Sequence, residues 1–118
     1  MMCKATITYR FKENRPQGNK NPYDSFWKFI DNYESVKSFD TPTTSTVYVK
    51  YSGNTKDLRD ALINHFEQDG IKLIDGDEIS IEGHNALNQL EAILYIEKDN
   101  KPTYDGSLNR FMGIMDPD

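Results

Sequence analysis

The chain has 118 residues, of which 36% are apolar and 28% charged, and its net charge is −5. This length supports one domain with a single core, and the 7 Tyr, 6 Phe and 1 Trp supply much of the apolar bulk. The sequence has no apolar run of the roughly 18 residues that a membrane span needs and no apolar leader, so we expect a soluble, cytoplasmic protein that does not contact a membrane.

The residues that most often bind metals are scarce. Cys3 is the only cysteine, and His65 and His84 are the only histidines. An intrachain disulfide is therefore excluded, and these side chains alone cannot complete a zinc site. We expect no metal and no cofactor.

The charge is divided along the chain. Residues 1–30 carry six basic and two acidic side chains, a balance of +4, whereas the remaining 88 residues have a balance of −9. Such asymmetry is typical of a protein with a charged partner. Pairing of the two regions in trans explains it equally well.

The first strand and the first helix are separated by a polar loop. Lys4 to Phe11 alternates between apolar and polar residues, which predicts a half-buried strand. Asn21 and Pro22 are typical of a helix start. The apolar stripe of this helix follows at helical spacing and consists of Tyr23, Phe26, Trp27, Ile30 and Tyr33.

A hairpin and a second helix are predicted next. Ser35 to Phe39 and Thr44 to Ser52 are strand-like and are joined by a short turn. Asn54 is a predicted N-cap of the second helix, and Gly70 is suited to its C-terminal end. The apolar stripe of this helix consists of Leu58, Ala61, Leu62, His65 and Phe66.

The remaining elements complete the predicted fold. Asp77 to Gly83 reads as a fourth strand, His84 to Glu91 has modest helical spacing, and Ala92 to Glu97 is apolar enough for a fifth strand. This order predicts an α+β fold, a ferredoxin-like β-α-β-β-α-β sandwich with an additional C-terminal strand. We expect the domain to span residues 1–99, with residues 100–118 as a C-terminal tail that packs on the domain or on a partner subunit.

Basic side chains in and around the first loop are candidates for binding nucleic acid or another anion. They are Arg10, Lys12, Arg15, Lys20 and Lys28. Tyr23 and Trp27 are suited to stacking on bases, but both also lie on the apolar stripe and cannot do both. Phe29 lies off that stripe, so we expect it to be exposed or to contact a partner chain.

Two further groups of residues are candidate partner surfaces. The apolar group comprises Phe29, Ile93, Tyr95, Phe111 and Met112. The acidic group comprises Asp69, Asp75, Asp77, Glu78 and Glu82. The acids lack the spacing of a calcium loop, which favours a solvated turn. Neither histidine lies in an evident catalytic motif, so we expect His65 to be a packing residue and give His84 only slightly more weight.

Residues 5–83 resemble the small CRISPR adaptation subunit and its relatives, the SinR-like and VapD-like proteins. The resemblance is carried by Ile7–Tyr9, Ser45–Val49 and Asn54–Leu62. It implies a homodimer, joined partly through sheet edges and a last strand, Ala92 to Glu97, in a nucleic-acid defence or toxin system. Active nucleases of the family have an acid directly after the Tyr of the first strand. Here that residue is Arg10, and a guanidinium does not ligate a cation.

Three functions are compatible with these observations. The first is a non-catalytic, dimeric binding module of a nucleic-acid defence or toxin–antitoxin type system, which contacts nucleic acid or a nucleic-acid enzyme. The alternative is an acidic inhibitor from a phage or mobile element that binds a host nucleic-acid-binding defence protein. The third is a metal-dependent nuclease. Whether the protein is an enzyme stays open, with a non-catalytic role preferred.

Overall fold

A computed structural model describes residues 2–105 of the chain. The elements are β1 Met2–Arg10, α1 Tyr23–Asn32, β2 Val36–Thr43, β3 Thr46–Ser52, α2 Thr55–Gln68, β4 Glu78–His84, β5 Leu90–Glu97, a 3₁₀ turn Lys98–Asn100 and β6 Lys101–Tyr104. All strands described belong to one six-stranded sheet in the order β2-β3-β1-β4-β5-β6. Every neighbouring pair is antiparallel.

The predicted ferredoxin-like sandwich with one additional strand is wrong. The structure is dominated by a single antiparallel sheet of six strands, which is accompanied by only two α-helices in the described part of the chain. β6 was not predicted from the sequence, because Lys101–Tyr104 is short, contains Pro102 and shows no apolar alternation. Its backbone is fixed by pairing with β5, so the sheet continues past residue 99.

The two faces of the sheet have opposite character. Alternate side chains of the central strands are buried on the face that packs against the helices, as alternation predicts. In β1 these are Cys3, Ala5, Ile7 and Tyr9, and in β3 they are Val47, Val49 and Tyr51. The intervening side chains lie on the other face, which neither α1 nor α2 covers. We call it the open face.

The first helix is rotated relative to its predicted stripe. Phe29 is only 3% exposed, so the expectation that it is exposed is wrong. Its ring packs against Tyr33, with ring centroids 4.7 Å apart, and against His65 of α2. Tyr23, which was placed on the stripe, is instead 46% exposed. The contact with α2 therefore decides which face of α1 is buried.

Two asparagines determine local structure. The Asn54 Oδ1 accepts a hydrogen bond of 2.8 Å from the Asp57 N–H, which confirms the predicted N-cap of α2. The helical spacing at residues 84–91 does not produce a helix. The Asn85 side chain accepts hydrogen bonds from the backbone N–H groups of Leu87 and Gln89, which stabilise a turn between β4 and β5.

Candidate functional site

The basic loop is fixed to the fold by a buried ion pair. The Arg15 guanidinium donates two hydrogen bonds of 2.8 Å to the two Asp77 carboxylate oxygens. The side chains of these two residues are only 5% and 0% exposed. Asp77 also accepts from the backbone N–H groups of Lys12 and Ile74. The structure thus places one predicted anion-binding residue and one predicted acid of the partner surface inside the molecule, where they bind each other.

The protonation of Asp77 follows from the same contacts. Burial by itself raises the pKa of this carboxyl group, but hydrogen bonds from Arg15 and from the backbone outweigh it and hold the pKa below its ordinary value. The carboxylate is therefore charged at neutral pH and remains a partner for Arg15.

The other predicted basic residues do not converge on one surface. Arg10 lies on the open face and forms an exposed ion pair with Glu78 at 3.0 Å. The Lys20 ammonium donates to the Asp69 carbonyl oxygen, and Lys28 is exposed on α1, in the helical layer. Exposed ion pairs such as that of Arg10 contribute only about 0–1 kcal/mol, so this side chain can exchange partners at low cost.

The predicted acidic residues are also dispersed. The Asp69 carboxylate accepts a 2.6 Å hydrogen bond from the Ser25 hydroxyl, which together with nearby His65 lowers its pKa. Asp75 lies 3.5 Å from the Lys98 ammonium, whereas Glu82 lies on the open face of β4. Within residues 2–105, no group of three or more His, Cys, Asp or Glu side chains is placed to hold a metal ion.

The predicted apolar contacts are partly used within the chain. Ile93 and Tyr95 are half-buried on β5, and that strand is hydrogen-bonded to β4 on one side and to β6 on the other. Its backbone is therefore not available for pairing with a second molecule. Phe111 and Met112 lie outside the described residues.

The histidines differ in their surroundings. The His65 Nε2 lies 2.9 Å from the Ser25 carbonyl oxygen and 3.4 Å from the Asp69 carboxylate, so His65 connects α2 to α1. His84 instead lies at the end of β4, on the open face beside β1. His84 therefore lies beside Lys4 on the open face, whereas His65 lies in the helical layer, in a depression that Lys28 also lines.

A row of three basic side chains crosses the open face. Lys4 of β1 is directly opposite Lys50 of β3 and, on its other side, directly opposite His84 of β4. Side chains so placed have Cβ atoms roughly 4.5–5.5 Å apart, and like charges in this position destabilise a sheet. Among the described residues, neither lysine forms an ion pair. We call these three residues the basic row.

The basic row lines a shallow cavity of about 550 Å³. Tyr48, with 48% of its surface exposed, lies in the next row and also lines the cavity. The acids of that row, Asp40 and Glu82, are diagonal to the lysines rather than opposite them. Strand alternation indicates that these side chains share a face, but only the pairing register reveals that the two lysines are neighbours.

Comparison of the chain with protein-family models, with curated proteins and with solved structures gave no match. The resemblance to the small CRISPR adaptation subunit and its relatives therefore stays a prediction. Among the residues that the structure describes, no helix has the length and apolar character required to cross a membrane.

Proposed function

We propose that this protein is a non-catalytic binding module for single-stranded nucleic acid, which binds phosphate groups at the basic row. The observation that carries the proposal is the direct opposition of Lys4 and Lys50, with His84 next in the same row. The two lysines are directly opposite each other and have no ion-pair partner within residues 2–105, so their charges repel each other, and a bound anion relieves that repulsion. A phosphate group supplies the charge and several acceptor oxygens.

Tyr48 favours a single strand over a duplex. Its exposed ring lies beside the basic row, where an unpaired base can stack on it. The bases of a duplex are already stacked and offer no free face. Binding that combines phosphate contacts with stacking tolerates many sequences, so we expect little sequence preference.

The oligomeric state and cellular location belong to this proposal. Cys3 is the only cysteine and is buried as a free thiol, which supports a reducing compartment such as the cytoplasm. A homodimer stays a prediction. A dimer that forms by pairing of sheet edges is disfavoured by β2 and β6, the two edge strands of the sheet that residues 2–105 form. β2 is interrupted by register shifts and contains Pro42, and β6 is short and contains Lys101 and Pro102. Such features prevent edge-to-edge pairing.

The test is fluorescence anisotropy with a labelled 12-nucleotide single strand, as DNA and as RNA, at several salt concentrations. With two phosphate contacts, log K falls with log salt at a slope of about −1.4. The double variant Lys4→Ala and Lys50→Ala should abolish binding. The matched control Lys72→Ala and Lys98→Ala removes the same charge at the opposite end of the strands, where each lysine has a carboxylate partner, and should retain binding.

Three outcomes contradict the proposal: no binding to any single strand at low salt, equal loss in both double variants, or a preference for duplex. Capture of a purified basic nucleic-acid-binding protein in place of nucleic acid would support the acidic-inhibitor alternative instead. Cleavage of the labelled strand with added magnesium or manganese would support the nuclease alternative.

A further inference from the structure

A second cavity lies at the other end of β1, outside the basic row. It has a volume of about 530 Å³ and opens between the end of β1, the start of α1 and the β2–β3 turn. This volume is within the range of roughly 300–1,000 Å³ that is typical of small-molecule sites. Its lining includes Tyr9, Phe11, Tyr23, Glu13 and Asp24. We call it the aromatic cleft.

The walls of the aromatic cleft are rings held in fixed positions. Tyr9 is 4% exposed, and its ring centroid is 5.6 Å from that of Phe11 and 6.3 Å from that of Tyr23. Trp27 lies behind them, 6.2 Å from Tyr9 and 6.3 Å from Tyr23. Because Tyr23 is 46% exposed, one of these rings presents its surface to solvent, where a planar ligand can stack on it.

One polar group in this cluster, the Trp27 indole N–H, is buried beside the Tyr9 hydroxyl. Burial and the nearby Tyr23 raise the pKa of the Tyr9 hydroxyl, and the Trp27 indole N–H offsets part of that rise. Because Trp27 does not line the cleft and its Nε1 is buried, this group reports on the packing of the aromatic cluster and is not a ligand contact.

The charges around the cleft favour a neutral ligand over a phosphate. The lining carries two carboxylates, those of Glu13 and Asp24, and one guanidinium, that of Arg10. The balance of charge on the lining is therefore negative, even when Arg10 leaves its exposed partner Glu78. Carboxylates accept hydrogen bonds from amino groups and repel phosphate oxygens. The preferred occupant is therefore flat, aromatic and uncharged, with exposed N–H donors.

We propose that the aromatic cleft binds one unpaired nucleobase that carries an exocyclic amino group. The inference deepens the proposed function and rests on it for the connection to a longer strand. Lys4 and Arg10 are six residues apart on β1, or about 20 Å. That distance corresponds to no more than about six nucleotides of one strand, so a short oligonucleotide reaches both sites.

The test uses neutral nucleosides, which lack phosphate and therefore isolate the aromatic cleft from the basic row. Trp27 is the only tryptophan, so its fluorescence and its single indole N–H resonance report on this cluster alone. Cytidine and uridine have the same ribose and differ along one edge of the base: cytidine has the amino group and an unprotonated N3, whereas uridine has a carbonyl oxygen and an N3–H. We expect cytidine to give saturable changes in both signals, with uridine at least several-fold weaker.

Substitutions at two positions define the contacts. Tyr23→Ala should weaken cytidine binding about tenfold, whereas Tyr23→Phe keeps the ring and should retain it. Asp24→Asn should reduce the preference for cytidine over uridine. The inference is overturned if no nucleoside gives a saturable change, if uridine equals cytidine, or if Tyr23→Ala binds cytidine as the unmodified protein does.

The nucleoside experiment tests the aromatic cleft and the oligonucleotide experiment tests the basic row, so either proposal can be refuted without the other. Lys4→Ala with Lys50→Ala should leave cytidine binding unchanged, because those residues lie at the other end of β1. Cytidine binding without oligonucleotide binding would refute the proposed function and keep the aromatic cleft. Oligonucleotide binding without a nucleoside response would keep the proposed function and refute the cleft.

Discussion

Reversing one charge of the basic row should strengthen the fold while abolishing binding. Lys50→Glu places a carboxylate directly opposite the Lys4 ammonium, in the register that β1 and β3 adopt. It replaces a repulsive cross-strand pair by an attractive one. Each such pair is worth roughly 0.2–1 kcal/mol, so the free energy of unfolding should rise by about 1 kcal/mol. Asp40, which is diagonal to position 50, offsets part of this gain.

The measurement is thermal and urea denaturation at low and high salt. A gain of about 1 kcal/mol corresponds to an increase in Tm of roughly 4 °C for a chain of this size. It should shrink in 1 M salt, where the Debye length is about 3 Å. Oligonucleotide binding by the same variant should be lost in the anisotropy assay.

The control is a like substitution at a lysine that already has a partner. The Lys56 ammonium lies 2.8 Å from the Asp60 carboxylate in the first turns of α2. In Lys56→Glu the lost pair is offset by a favourable negative charge at the helix N-terminus, so stability should change little and binding should stay intact. If Lys50→Glu destabilises the protein at low salt, the two lysines do not repel each other as their register implies. If it retains nucleic-acid binding, the basic row is not the phosphate site.

Two further predictions concern the core. Gly83→Ala would place a Cβ atom inside the contact distance of the Thr55 hydroxyl, so overpacking should lower the free energy of unfolding by about 3 kcal/mol. Urea denaturation measures this change, and unchanged stability would show that α2 can shift to accommodate the methyl group. Asp77→Asn removes the charge that compensates buried Arg15 and should cost about 3 kcal/mol at pH 7, whereas exposed Asp75→Asn should cost little. Because the folded pKa of Asp77 lies below its unfolded value of about 3.9, its contribution is present above that pH and is lost as the pH falls through the folded pKa. The stability of Asp77→Asn should therefore depend less on pH below about 4 than that of the unmodified protein, and parallel acid titrations would disprove the assignment.

Local signals in the sequence predicted part of the fold. The alternation in β1 and β3 and the capping residue Asn54 correctly indicated strands and a helix start, because each depends on side chains a few residues apart. The helical spacing at residues 84–91 was misleading. The Asn85 side chain accepts hydrogen bonds from backbone N–H groups that a helix would direct to its own carbonyl oxygens, and a turn forms instead. No local pattern in the sequence indicates β6, which forms because its backbone is hydrogen-bonded to β5.

The candidate sites depended more strongly on tertiary structure. Charge counting drew attention to the first loop, yet Arg15 is neutralised by Asp77, which is 62 residues away in the sequence. The orientation of α1, set by contact with α2, buried Phe29 and exposed Tyr23. A sequence pattern states which residues share a face of an element but not what lies opposite that face.

The sequence by itself determined which positions of β1, β3 and β4 face away from the core, because a strand has a fixed period of two. It therefore placed Lys4 and Lys50 on outward-facing positions, whereas His84 lay beyond the predicted fourth strand and is assigned to β4 only by the structure. Only the tertiary structure decided that these positions are adjacent, since register is set by packing of the buried face and by the connections between strands. A shift by one residue would separate the two lysines and eliminate the basic row.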